Sequence, residues 1–208
     1  MSTPDDRIRC PWSEGSQLYR DYHDHEWGKP VHGDDALFER LCLEAFQSGL
    51  AWITILRKRP AFRAAFADFE IAKVARFGDS DIARLLADEG IVRNRLKIEA
   101  VIANARVAGD LDIGLDELLW SFAPPPRQRP RAVADVPAVT AESTALAREL
   151  KRRGFRFVGP TTAYALMQAT GMVDDHLRDC WVKRDVPDSP PVVTFRTQVS
   201  VQNGDREE

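Results

Sequence analysis

Cysteine is scarce in this chain, with three in 208 residues: Cys10, Cys42 and Cys180. Three thiols cannot close a paired disulfide set, and a chain of this length can bury a core without one, so a disulfide-stapled scaffold is excluded. Long hydrophobic runs are missing too: nothing approaches the roughly 20 uncharged apolar residues of a membrane helix. The opening residues Met1 to Arg7 carry no apolar h-region. No signal peptide is therefore expected, and the expected location is cytoplasmic. Nor is there an excess of positive charge, since 29 Lys+Arg against 32 Asp+Glu leave a net charge of -3. That balance excludes bulk electrostatic coating of nucleic acid and leaves room for a local basic patch. What is present, 44% hydrophobic and 29% charged residues, is the composition of a folded globular protein.

The periodic segments read as helices, and the expected fold class is all-α. Asp34-Asp35 leads into Leu37, Phe38, Leu41, Cys42, Ala45 and Phe46 at helical spacing. Pro60 is expected in the first turn of a short helix running through Phe66 and Phe69. Further helices are expected from Ile71 to Arg76, after Asp79-Ser80-Asp81, across Leu96 to Ala105, and from Leu115 to Phe122. Pro124 to Pro137, rich in proline and arginine and without apolar period, reads as an exposed loop. Two last helices, from Thr140 to Gly154 and from Thr161 to Thr170, flank a glycine-bearing turn. Residues 1–185 are expected to form a single domain of two lobes. Residues 186–208 are expected to be a flexible tail, with Val192 to Val201 weakly strand-like.

Cysteine and histidine, though few, fall in two groups. Cys10 and His23 lie near the start; His176 and Cys180 lie late in the chain, at a spacing that puts both on one face of a helix. Two thiols and two imidazoles suit tetrahedral zinc, and joining the two pairs would tie the ends of the chain together. His25 is an alternative to His23; His25 and His32 otherwise face solvent or bond locally, and Cys42 reads as a small core residue. Glu44 is the single charge within Leu41 to Leu56, either held for a ligand or turned to water on the helix's polar side. Trp12, Tyr19, Tyr22 and Trp27 crowd a short polar stretch expected to be mostly irregular. They suit stacking on a flat base, or else a satellite core around the metal. Arg152 to Ala163 places Arg156, Gly159 and Thr161 where backbone N–H groups entering a helix would face a phosphate, with an ordinary αα-turn as the alternative.

In order along the chain, Cys10-Pro-Trp12, Leu18 to Gly28, Leu37 to Trp52 with Glu44 and Gln47, Gly90 to Ile98, Trp120 to Phe122, Gly154 to Ala163 and Gly171 to Cys180 resemble the DNA-3-methyladenine glycosylase I family. The resemblance runs from about Arg9 to Cys180. It implies a helix-hairpin-helix DNA repair glycosylase with one structural zinc on Cys10, His23, His176 and Cys180. It also implies that Glu44 contacts the flipped base, Tyr22 and Trp52 stack on it, and Trp12, Tyr19 and Trp27 complete the pocket wall. The wider superfamily carries a catalytic aspartate after the hairpin helix, where this family often has asparagine; here the pair is Asp174-Asp175.

The expected function is hydrolytic excision of 3-methyladenine from alkylated double-stranded DNA by a monomeric enzyme. Water would attack the sugar, with Glu44 as the catalytic carboxylate. The alternative is a zinc-stapled helix-hairpin-helix DNA-binding module without chemistry, which would have no use for Glu44 in an apolar segment. A zinc hydrolase ranks last, because four protein ligands leave no open position.

Overall fold

The computed structural model describes residues 6–183 of the chain. The expected tail and its weakly strand-like segment lie outside the described residues. Among those described, all regular structure is helical. The α-helices are α1 (Gln17–His25), α2 (Asp34–Gln47), α3 (Trp52–Ala65), α4 (Ile71–Val74), α5 (Asp79–Ala87), α6 (Arg95–Gly109), α7 (Leu115–Trp120), α8 (Ala141–Arg153) and α9 (Pro160–Ala169). None of them is long and apolar enough to cross a membrane.

α2 is central and packs on α9, α3, α7 and α6. Its apolar stripe is as expected: Leu37, Phe38, Leu41, Cys42 and Phe46 are fully buried. Phe46 meets Phe62 of α3 with ring centroids 4.6 Å apart. α3 itself departs from expectation, starting at Trp52 with Pro60 in its interior. An interior proline costs about 3 kcal/mol. Burying Ile55, Leu56 and Phe62 contributes roughly 1.5–3 kcal/mol each, enough to outweigh that loss. Ala51 offers no side-chain cap to this helix. Instead the Tyr19 hydroxyl accepts the Ile53 N–H at 3.0 Å, which fixes Trp52 at the first position.

α8 begins as expected, with the Thr140 hydroxyl accepting the Ser143 N–H at 3.1 Å, and ends on left-handed Gly154. Gly171 closes α9 at φ +74, and a Cβ there would lie 2.5 Å from the Lys29 carbonyl carbon. Only glycine lets the N-terminal loop cross so closely, and Val31 N–H donates to the Thr170 carbonyl at 3.1 Å beside it. That crossing lays the start of the chain, with its aromatics, against the turn that follows α9.

Candidate active site and metal cluster

Cys10, His23, His176 and Cys180 meet in one buried group, with ligand atoms all within 4.8 Å of one another. His23 is the histidine of the N-terminal pair that reaches it, while His25 is exposed. The turn carrying His176 and Cys180 is not the expected helix. Local bonds win there: the Asp174 carboxylate accepts the His176 N–H at 3.3 Å, and Cys180 N–H donates to the Leu177 carbonyl at 2.9 Å.

The separations test whether an ion fits. His23 Nε2 is 3.2 Å from His176 Nδ1, and Cys180 Sγ is 3.4 and 3.5 Å from those two nitrogens. Cys10 Sγ is 3.8 Å from His176 Nδ1. A tetrahedral zinc with Zn–N of about 2.0–2.1 Å and Zn–S of about 2.3 Å has edges of about 3.3–3.8 Å, so the donor set fits. The outward faces of the ligands are also held. His23 Nδ1 lies 2.8 Å from Asp24 Oδ1, and His176 Nε2 lies 3.1 Å from the Trp27 carbonyl. Burial alone would raise the Asp24 carboxyl, but hydrogen bonds from Arg9, His23 and Trp181 hold it down at about 2. Leu177 N–H donates to Cys10 Sγ at 3.3 Å.

A cavity of about 350 Å³ opens directly beside this cluster. All six residues expected in the pocket line it: Trp12, Tyr19, Tyr22, Trp27, Glu44 and Trp52. Tyr19 and Tyr22 stand on α1, so the aromatic stretch is more helical than expected, and a spacing of three puts both rings on one face. Trp12 joins cavity to cluster, lying 5.0 Å from the Trp27 ring and 5.3 Å from the His23 ring. Tyr22 and Trp52 are 5.5 Å apart and tilted by 44°, forming an angled aromatic face. The Trp52 indole N–H is buried without a hydrogen-bond partner among the described residues.

Glu44 is 6% exposed and faces the cavity, not bulk water. It makes no hydrogen bond to a described residue, so both oxygens remain available to a ligand. Burial pushes its carboxyl up to about 8, against the pull of the Arg40 guanidinium one helical turn away. Arg40 is held by Glu26 (3.1 Å), which also takes two bonds from Arg59. An acceptor, an aromatic face and a spare indole N–H, set in a small apolar cavity, can select a flat cation bearing an amino group.

The two neighbouring aspartates separate. Asp174 does not line the cavity and pairs with Arg129 at 2.8 Å, whereas Asp175 lines it. The loop expected to be merely exposed also contributes, through Val133 and Val136. Its lack of apolar period hid them. Gln47, which belongs to the segment carrying the family resemblance, and Gln168, which had no sequence signal, line the cavity as well. Lys97 was equally silent: buried, it donates to the Phe46 and Ser48 carbonyls (2.9 and 2.7 Å) and holds the end of α2 beside Gln47.

Arg156, Gly159 and Thr161 lie together on an exposed surface between α8 and α9. Buried Asn104 clamps this turn, accepting the Arg156 N–H at 2.8 Å and donating to its carbonyl at 3.0 Å. A Cβ on Gly159 would meet nothing within 4 Å, and Arg148 and Lys151 flank the same groove.

Together these features define a helical protein whose aromatic, carboxylate-bearing cavity is built against a buried Cys2His2 cluster able to bind a metal. The family model for methyladenine glycosylase matches residues 12–184, and the chain belongs to that family. It is 43% identical over 180 residues to the DNA-3-methyladenine glycosylase of Haemophilus influenzae, covering 83% of this chain and 96% of the relative. It is 43% identical over 177 residues to DNA-3-methyladenine glycosylase 1 of Escherichia coli, covering 83% and 95%. A crystal structure of a 3-methyladenine DNA glycosylase I superposes with a TM-score of 0.81 at 42% identity, over 84% of this chain and 98% of that one. The Staphylococcus aureus enzyme, solved to show how it recognises 3-methyladenine, superposes with a TM-score of 0.80 at 37% identity, over 84% and 96%.

Proposed function

We propose that this chain is a DNA repair glycosylase that flips 3-methyladenine out of alkylated double-stranded DNA and hydrolyses its N-glycosyl bond. The observation that carries the reading is Glu44, a buried carboxylate without a hydrogen-bond partner among the described residues, in a cavity walled by aromatic rings. Methylation at N3 makes adenine cationic, so it leaves the sugar as a neutral base and needs little acid catalysis. The enzyme's task is then to extract the base and to hold the cation better than adenine. Glu44 accepts hydrogen bonds from the base and faces its charge, while Tyr22 and Trp52 supply the stacking surface. Trp12, Tyr19 and Trp27 exclude water from the remaining sides, and a water molecule attacks the sugar. Cys10, His23, His176 and Cys180 would hold one zinc, which supplies a structural cross-link between the ends of the folded chain.

The protein would act as a monomer in the cytoplasm, with Arg156, Gly159 and Thr161 gripping the DNA backbone through N–H groups at the start of α9. Gly159 has φ -88 and ψ 172, which alanine adopts freely, and its Cβ would enter open space. Gly159→Ala should therefore fold normally yet obstruct a phosphate. Duplex affinity is expected to fall about tenfold with base preference unchanged, as measured by anisotropy titration; a loss of roughly one phosphate contact is the scale involved. Unchanged affinity in the folded variant would remove the hairpin assignment.

Counting abasic sites in methylated duplex separates this reading from a DNA-binding module without chemistry. The enzyme accumulates abasic sites with time, whereas the module binds the duplex and leaves the count at background.

A further inference from the structure

The Pro/Arg-rich segment and the Asp174-Asp175 pair have no task in the reading above, and the structure joins them. Arg127 Nη2 donates to Asp175 Oδ1 at 2.6 Å and also meets the Tyr164 hydroxyl. Arg129 Nε donates to Asp174 Oδ2 at 2.8 Å, and its Nη1 donates to the Val182 carbonyl at 2.7 Å. Arg178 N–H donates to the Pro130 carbonyl at 2.8 Å. Beyond these anchors the segment has little regular structure, a single short turn at Val133–Asp135. The Asp135 carboxylate fixes that turn by accepting the Arg131 and Ala132 N–H groups at 3.1 and 2.9 Å. The turn carries Val133 to the cavity edge, where it is 57% exposed; Val136 lines the cavity and packs on the main core.

We propose that Arg127 and Arg129 are positioning residues that dock segment 124–137 on the aspartate pair and so make Val133 and Val136 one wall against the bound base. The inference rests on the cavity being the base site. Arginine–carboxylate bonds are strong and directional, which suits the task of placing a segment with few backbone bonds of its own. The docking also settles which carboxylate meets the base. Asp175 is engaged by Arg127, by the Tyr164 hydroxyl at 2.5 Å and by Gln168 Nε2 at 2.9 Å. Its oxygens are committed to holding the wall, and Glu44 is left to face the cation. Val133, apolar and largely exposed at the rim, gains burial when a base enters.

The test uses the metal-loaded full chain and three variants: Val133→Ala, Arg127→Gln and Arg127→Lys. Calorimetry with free 3-methyladenine, duplex affinity, melting, and base release from methylated DNA are measured on each. Val133→Ala is expected to weaken 3-methyladenine binding about fivefold, the scale for two methylene equivalents partly covered by a ligand. Its melting and duplex affinity should match the parent. Arg127→Gln is expected to raise KM for base release about tenfold with a smaller change in kcat, and Arg127→Lys to recover part of that rise, as a charge-assisted bond regained. A merely structural anchor would lower melting in Arg127→Gln while base affinity of the folded protein, and of Val133→Ala, stayed at the parental value. That result would overturn the proposal. If Arg127→Gln does not fold, Val133→Ala decides alone, because its side chain is exposed. A parent chain that binds no 3-methyladenine overturns the base-site reading, and this inference with it.

Discussion

Above about pH 8, where Glu44 is ionised, replacing it with glutamine is expected to weaken binding of free 3-methyladenine by about one to two powers of ten, the value of a lost charge-assisted hydrogen bond at roughly 1.5–3 kcal/mol. Glutamine keeps the size, removes the charge, and turns one acceptor into a donor that cannot accept from the exocyclic amino group of the base. Non-specific duplex affinity depends on backbone contacts and should stay at the parental level. Folding should improve. Burial raises the Glu44 carboxyl to about 8 from an ordinary 4.5, so the native state binds more protons than the unfolded chain between those pH values. Stability attributable to this group is present below about 4.5 and is lost as pH rises through about 8, a cost on the order of a few kcal/mol. Denaturant unfolding against pH should show that decline in the parent and not in Glu44→Gln. Affinity for a cationic methylated base should run the other way, rising with pH as Glu44 ionises and staying flat in the variant. Calorimetry that finds equal 3-methyladenine affinity in the two proteins would reduce Glu44 to a bystander.

The second large effect concerns the metal cluster. Four buried donors spaced for one ion lie between the first and last described stretches of the chain, so binding an ion is coupled to closing the fold. Removing the ion by chelation, or replacing Cys10 with serine, should cost at least 3–5 kcal/mol, and hence lower the melting midpoint by about ten degrees or more in a protein of this size. The loss should reach the cavity, because Cys10 lines it and the Trp12 and Trp27 rings lean on His23 and His176. Tryptophan emission should therefore shift before the helices melt. Elemental analysis of the purified protein should give one zinc per chain. Protein lacking any metal, or a Cys10→Ser variant with parental melting, would contradict the structural role.

Much of this arrangement was legible in the residues. The stripe of α2 and the ends of α8 and α9 follow from spacing and capping, which act locally, whereas donor chemistry left His25 open beside His23 and only the family resemblance chose between them. The failures have two causes, long-range contacts and one local competitor. Pro60 marks a helix start in isolation, but three buried side chains and the distant Tyr19 hydroxyl move that start to Trp52. His176 and Cys180 have helical spacing, yet the Asp174 carboxylate competes for the His176 N–H and a turn forms in its place. Val133 and Val136 have no periodic neighbours, and only the long-range pairs of Arg127 and Arg129 bring them to the cavity. Contacts between residues far apart in the chain leave no local pattern to read.

Base release from methylated duplex DNA, with the freed bases separated by chromatography, tests the account most directly. The metal-loaded parent is expected to liberate 3-methyladenine in a time-dependent course, with 7-methylguanine and adenine at or near background. Release of no base by a folded protein that still binds the duplex, or release of 7-methylguanine as fast as 3-methyladenine, would contradict it.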